Sequence, residues 1–372
     1  MDVRLSFEQQ ALRDSVAQAI GRTGPRSVAD LADHERAAKL DAAIEAAGWR
    51  ELRAAADGTE PLASAVEAAL VAEELARGLA DAPFLGPTLA AELRRPAGAA
   101  AAVTRETVLL TPDLSGPALV VNDAVAGVAA DAGHAQAALA LAPAGPGAVL
   151  VSVPVGASTP PVDLTRPSGL PVAGQGPLPV AGARPLTKAD IDRWTALGLA
   201  VTCAELVGTM RGAVQLARDY ALVRQQYGNL IGSFQAVQHL LADAHVATEG
   251  SRSIALHAAW AVDALPPDEA LAACAAAKAY CSRAAQSVCE TAIQVHGGIG
   301  NTWECLAHVF LRRAILSTDV LGGVGLSLDR VLAHRNLDHG NLDHRNLDHR
   351  NLNHRNLNHR NLNHGGGEHG LR

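Results

Sequence analysis

Between Asp190 and Arg335 the chain is written almost entirely in helix formers, and this restricts its fold more than any other feature. Ala, Leu, Glu and Arg dominate the stretch, and all four favour helix over strand. Turn-forming breaks divide it into four long helices: Asp190 to Gln226, Phe234 to the residue before Pro266-Pro267, Asp268 to about His296, and one from near Trp303. Long helices joined by short loops pack as a bundle. Aromatic residues are only 3% of the chain, so the cores must be built from Ala, Leu and Val. Ala-rich stripes allow the helices to approach closely.

The remainder divides into an N-terminal helical region, a middle β-region and a tail. Residues 6 to about 95 read as helices: Phe7 to Ile20, a second near Ala37 to Ala47, and Leu62 to Leu79 after Pro61. From about Thr104 to Pro185 short β-branched runs such as Val108-Leu-Leu and Ala148-Val-Leu-Val-Ser-Val153 alternate with Gly and Pro clusters, which marks strands and turns. Thr187 to Asp190 is a plausible cap for the next helix. The expected domains are therefore 1–98, 99–186 and 187–335, with a tail over 336–372. In that tail the unit His-Arg-Asn-Leu-Asp, or its Asn variant, starts at His334, His339, His344, His349, His354 and His359. Its polarity and its few apolar residues favour disorder.

Net charge is −7 with a pI near 6.1, and the basic residues are dispersed, which argues against nucleic acid as a partner. The five cysteines contain no C-x-x-C pair. Cys274, Cys281 and Cys289 recur along one helix face, as buried thiols of a reduced compartment would. The N-terminus has no apolar signal core, and no run of membrane-spanning length lacks a Gly, Pro or charge cluster. A cytoplasmic protein with no membrane contact is expected.

Three separated motifs carry chemistry: Arg224-Gln-Gln-Tyr-Gly228, Phe234-Gln-Ala-Val-Gln-His239 and Gln294-Val-His-Gly-Gly-Ile-Gly300. Arg224 is a permanently charged fork suited to a pyrophosphate. The Gln235 amide suits a purine edge. Gly297, Gly298 and Gly300 let backbone approach a ligand where a Cβ would intrude. In order and spacing the motifs resemble the C-terminal domain of the acyl-CoA dehydrogenases. Gly48-Trp49, Val71 to Gly78 and Val162-Asp-Leu-Thr-Arg166 resemble landmarks of the same family's N-terminal and middle domains.

The resemblance implies an α+β, mostly α fold: a helical domain, a small β-domain and a C-terminal four-helix bundle. It implies FAD shared at a subunit interface, with Arg224 on the pyrophosphate, Gln235 on the adenine side, and Gln294 through Gly298, His296 included, along the backbone. The flavin-ring side departs from the family. The nearest match to its T-E-P-x-x-G-S-D turn is Leu110-Thr-Pro-Asp-Leu-Ser-Gly116, and no aromatic residue lies between Phe84 and Trp194.

The base departs too. The family's usual catalytic Glu falls on Leu321, before Gly322, and its second solution falls on Gly198; neither residue accepts a proton. Asp319 lies two residues before Leu321, about 200° away on a helix. Glu304 matches a structural Glu of the family, and Glu205 reads as a helix-face residue. The pattern resembles the base-lacking subunits of heterotetrameric acyl-CoA dehydrogenases of actinobacterial steroid side-chain degradation. That implies a homologous Glu-bearing partner subunit, an acyl-CoA substrate, and electron-transfer flavoprotein or a similar acceptor. Two alternatives stay open: a self-sufficient homomeric dehydrogenase with a displaced base, and a flavin-free scaffold or acyl-CoA binding protein.

Overall fold

In a computed structural model of the chain, residues 4–55, 60–122, 124–159 and 161–341 are described. Side-chain caps open the helices. Helix α1 (Phe7–Thr23) starts at Ser6, whose hydroxyl accepts the Gln9 amide while the Gln9 side chain accepts the Ser6 N–H. Ser64 and Glu67 form the same reciprocal box on α3 (Ala65–Arg77), and Thr187 and Asp190 on α5 (Lys188–Ala221). Each box satisfies two amide groups that a helix start leaves without partners. Helices α2 (His34–Ala46) and α4 (Leu85–Ala97) complete the N-terminal layer.

Six strands follow: β1 (Glu106–Leu110), β2 (Val128–Ala130), β3 (Ala137–Ala144), β4 (Gly147–Thr159), β5 (Ser168–Pro171) and β6 (Leu178–Pro179). Their order is β3-β1-β2-β5-β4-β6, and β3 also pairs with β4, so the sheet closes on itself. β1 and β3 run parallel, and the other pairs are antiparallel. A separate small core of aliphatic side chains, including Leu109, Val120, Ala129 and Val153, fills this region.

The bundle comprises α5, α6 (Gln235–Ala264), α7 (Pro267–His296) and α8 (Ala307–Asp319), followed by α9 (Val324–Asn341). Helix α5 is central, packing on α3, α6, α7 and α8. By length and composition α5 could cross a membrane, but 89% of its apolar window is buried within the protein. Its apolarity serves the core. A Cβ at Gly208 would lie 2.0 Å from the carbonyl oxygen of Glu73, so α3 crosses α5 at backbone contact. Cys274, Cys281 and Cys289 are free and buried.

A fully buried Arg53 joins the N-terminal layer to the bundle. It donates to Glu92 on α4 at 3.0 Å, to Asp263 on α6 at 2.9 Å and to the Ala63 carbonyl at 2.9 Å.

Two helix boundaries differ from expectation. Helix α5 stops at Ala221 instead of reaching Gln226, because Gln225–Gln226 and Asn229–Leu230 pair as a two-stranded hairpin. The fourth bundle helix starts at Ala307 and ends at Asp319. Leu321 and Gly322 adopt left-handed conformations, with φ of +60° and +93°, and break it before α9. Residues up to Val331 form one compact unit, and those from Leu332 fall in a second. Of the tail expected to be disordered over 336–372, residues 336–341 continue helix α9, and 342–372 lie outside the described residues.

Candidate functional site

The path of the bundle explains how distant motifs meet. Helix α5 leads through the hairpin to the start of α6, and α7 returns antiparallel, so the ends of α5 and α7 and the start of α6 share one end of the bundle. Tyr220 near the end of α5 stacks on His296 at the end of α7, with ring centroids 4.5 Å apart.

Arg224 enters the hairpin with its backbone fixed: its N–H donates to Tyr220 at 2.9 Å and its carbonyl accepts from Ile231 at 2.8 Å. Its side chain is exposed. Tyr227 and Gly228 have φ of +52° and +78°, as a two-residue hairpin turn of this hand requires. Gln235, the first residue of α6, is exposed, as are Gln294, Gly297 and Gly298. A Cβ on Gly297 or Gly298 would meet nothing within 4 Å, so this ridge of backbone is open from outside.

Gly300 departs from the expectation of ligand approach. A Cβ there would lie 2.8 Å from the Ile293 carbonyl oxygen, so internal packing accounts for it. His296 is buried, and its Nδ1–H donates to the Ala292 carbonyl at 2.7 Å. It supports the end of α7 from inside.

The two expected base positions touch each other. Leu321 is 0% exposed, and an added Cβ on Gly198 would lie 2.1 Å from its Cδ1, with the Leu89 methyls at 3.5 Å. The Leu321 side chain fills the notch that Gly198 leaves on α5. Its amide donates to the Leu114 carbonyl at 2.8 Å, which joins this break to the turn at Leu110–Gly116. Within the turn, the hydroxyls of Thr111 and Ser115 hold the Asp113 carboxyl down to about 2. One closed apolar contact thus occupies both places where a catalytic carboxylate is expected.

The nearby carboxylates are placed for other work. Asp319 ends α8 exposed, and Glu304 lies exposed in a turn. Glu205 is not the plain helix-face residue expected. It is buried against Arg166 at 2.9 Å, beside Asp131 and Ser317, while Arg313 pairs with Asp163 at 3.4 Å. Burial pushes the Glu205 carboxyl up, against the pull of the Arg166 guanidinium. The cavity bordering it measures about 10 Å³, which is water-sized and holds no thioester.

Sequence reasoning missed Lys278. It is fully buried on α7 and donates to the Ser317 and Val320 carbonyls, each at 2.7 Å, and to Thr202 at 3.3 Å. It holds the end of α8 just before Leu321. Burial lowers its ammonium from the ordinary lysine value to about 8. Arg330 grips the other side of the break, donating to the Leu321 carbonyl at 2.6 Å and the Ser115 carbonyl at 3.2 Å. A signal existed: Lys278 lies four residues after Cys274 and three before Cys281, on the face read as buried.

The relatives agree with this architecture. Residues 196–333 match the model of the acyl-CoA dehydrogenase C-terminal domain. Acyl-CoA dehydrogenase IpdE2 of Mycobacterium tuberculosis is 32% identical over 338 residues, covering 84% of this chain and 93% of the relative. Among solved structures, the Tcur3481-Tcur3483 steroid ACAD shares the fold with a TM-score of 0.75 at 22% identity, over 90% of this chain and 99% of that one. The ChsE4-ChsE5 complex from Mycobacterium tuberculosis does so with a TM-score of 0.71 at 22% identity, over 89% and 98%. With identity and coverage of this extent, the chain belongs to the acyl-CoA dehydrogenase family.

Proposed function

We propose that this chain is the base-less subunit of a heteromeric, FAD-dependent acyl-CoA dehydrogenase, completing the adenosine-diphosphate end of a cofactor held mainly by a homologous Glu-bearing partner. The observation that carries the reading is the contact of Leu321 with Gly198, which fills both base positions with hydrocarbon. The exposed Arg224 guanidinium, the Gln235 amide and the backbone from Gln294 to Gly298 would hold the diphosphate and adenine. A protein ridge of this kind fits the outer half of the cofactor. The ring half does not fit inside this chain, where the β-region supplies no aromatic wall and Leu321 closes the notch.

Bound FAD supplies the acceptor for the hydride that leaves the acyl β-carbon. The α-proton falls to the partner's carboxylate, because this chain offers none facing open space in the bundle interior. Its own residues bind and orient the cofactor's phosphates at the interface. The substrate class is an acyl-CoA, steroid side-chain or fatty acyl, with electron-transfer flavoprotein or a similar protein as acceptor, in the cytoplasm. The likeness to solved structures named as a steroid ACAD and as a two-component complex supports the heteromeric reading.

Flavin absorbance tests it. The chain purified alone is expected to be colourless, and the chain co-purified with its homologous partner yellow. Stoichiometric flavin on the isolated chain would overturn the division of labour, and colourless preparations of both would favour a flavin-free scaffold.

A further inference from the structure

A cleft of about 380 Å³ opens between α4, the segment after α2 and the start of β1. It lies at the Glu106 end of β1, whereas the Leu110–Gly116 turn and Leu321 lie at the other. Methyl and ring carbons from Ala54, Pro83, Pro87, Ala90, Ala91 and Ala102 form the apolar part of its wall, and charged side chains form the rest. The volume falls within the range of small-molecule sites.

The arginines lining the cleft are already committed to carboxylates. Arg50 pairs with Asp41, Arg94 with Glu106, Arg95 with Glu92, and Arg105 with Asp41 and Glu45. A carboxylate or phosphate entering here would have to break an existing pair, so the wall selects against anions. Residues 99–104 run along the lip as a strap tied at its ends. Ala99 N–H donates to the Arg94 carbonyl at 3.1 Å, Arg94 donates to the Ala100 carbonyl at 2.7 Å, and Gln136 N–H donates to the Arg105 carbonyl at 2.9 Å. Between these ties Val103 stands fully exposed beside an apolar wall. Folding the strap inward would bury that side chain, and its alanine methyls have no rotamer freedom to lose.

We infer that this cleft binds a neutral, slender hydrocarbon ligand, over which the Ala99–Thr104 strap closes. The full-length chain is titrated calorimetrically with 1-decanol and, separately, with sodium decanoate. Saturable binding of decanol is expected, with decanoate about tenfold weaker or worse for want of a free cation. Ala91→Trp, which fills the wall, should abolish decanol binding. Ala102→Trp on the exposed strap gives the same readout where the first variant folds poorly. Hydrogen exchange at Val103 should slow when decanol is bound. Equal affinity for decanoate, non-saturable uptake, or binding unchanged in both variants would overturn the assignment.

Discussion

At the end of the bundle, Arg224, Gln235 and Gln294 stand exposed around an open glycine ridge, while in its interior Leu321 is packed into Gly198 with no space between them. Both regions are built by the same helices. The end keeps charged and amide groups that a polar ligand could meet, and the two expected base positions keep only hydrocarbon, in a break held by Lys278 and Arg330 through backbone carbonyls. One helical frame thus carries a polar outward surface at its end and closed apolar packing at its centre. Surface contacts need only a few side chains on a rigid frame, whereas a buried carboxylate needs a pocket to keep it.

The largest expected effect is on turnover. Because a positioned base contributes about 10²–10⁴-fold, acyl-CoA oxidation by the isolated chain should be undetectable, and it should appear when the Glu-bearing partner is added. Leu321→Glu in the isolated chain should restore none of it. Burying that carboxylate should also cost about 1–3 kcal/mol in denaturant titration. Oxidation by the single variant would show that the interior is not ordinary core.

Next comes the end of the bundle. In the complex, Arg224→Ala should weaken FAD retention about ten- to hundredfold, the worth of a charge-assisted bond to phosphate of about 1.5–3 kcal/mol. Flavin content unchanged after dilution and gel filtration would make Arg224 a surface charge.

The interior contact is sharpened by Gly198→Ala, whose Cβ meets Leu321 Cδ1. Overpacking should cost about 1–3 kcal/mol. Adding Leu321→Ala should relieve part of that cost, so the double variant loses less than the sum of the two. Strict additivity would mean that the two residues do not press on each other.

The last effect, confined to alkaline pH, concerns Lys278. Its folded value, lowered to about 8, lies below the ordinary 10.5, so the unfolded chain binds the proton more tightly. Stability from this group is present above the unfolded value and is lost as pH falls through about 8. Between pH 8 and 10 the native protein should therefore gain about 1–3 kcal/mol relative to Lys278→Met. A parallel pH profile in the two proteins would place the ammonium in contact with water.

The long helices were legible because periodicity and capping are local, and Ser6, Ser64 and Thr187 cap as their neighbours dictate. The break at Leu321 was not legible, since a leucine with positive φ is held there by the Leu114 carbonyl, remote in sequence, and by Arg330, which also reaches the distant Ser115 carbonyl. The motif at Arg224 was read as the end of a helix, yet Tyr227-Gly228 turns it into a hairpin, and only the turn geometry decides between them. Absence was easier to read than presence: the missing acid at Leu321 and Gly198 needed no structure, but their mutual contact did. Glu205 read as a plain helix-face residue because its partner Arg166 comes from the β-region.

Arg53 bears on how the chain is made. Its second carboxylate, Asp263, follows it by 210 residues. At about 5–20 residues per second a ribosome needs roughly 10–40 s to supply that partner. Until then Arg53, which shares Glu92 with Arg95, lacks its second carboxylate, in a layer whose closure would bury its charge. The N-terminal helices are thus synthesised first but cannot be completed first, and a nascent chain stalled before α6 would expose their apolar faces to chaperones.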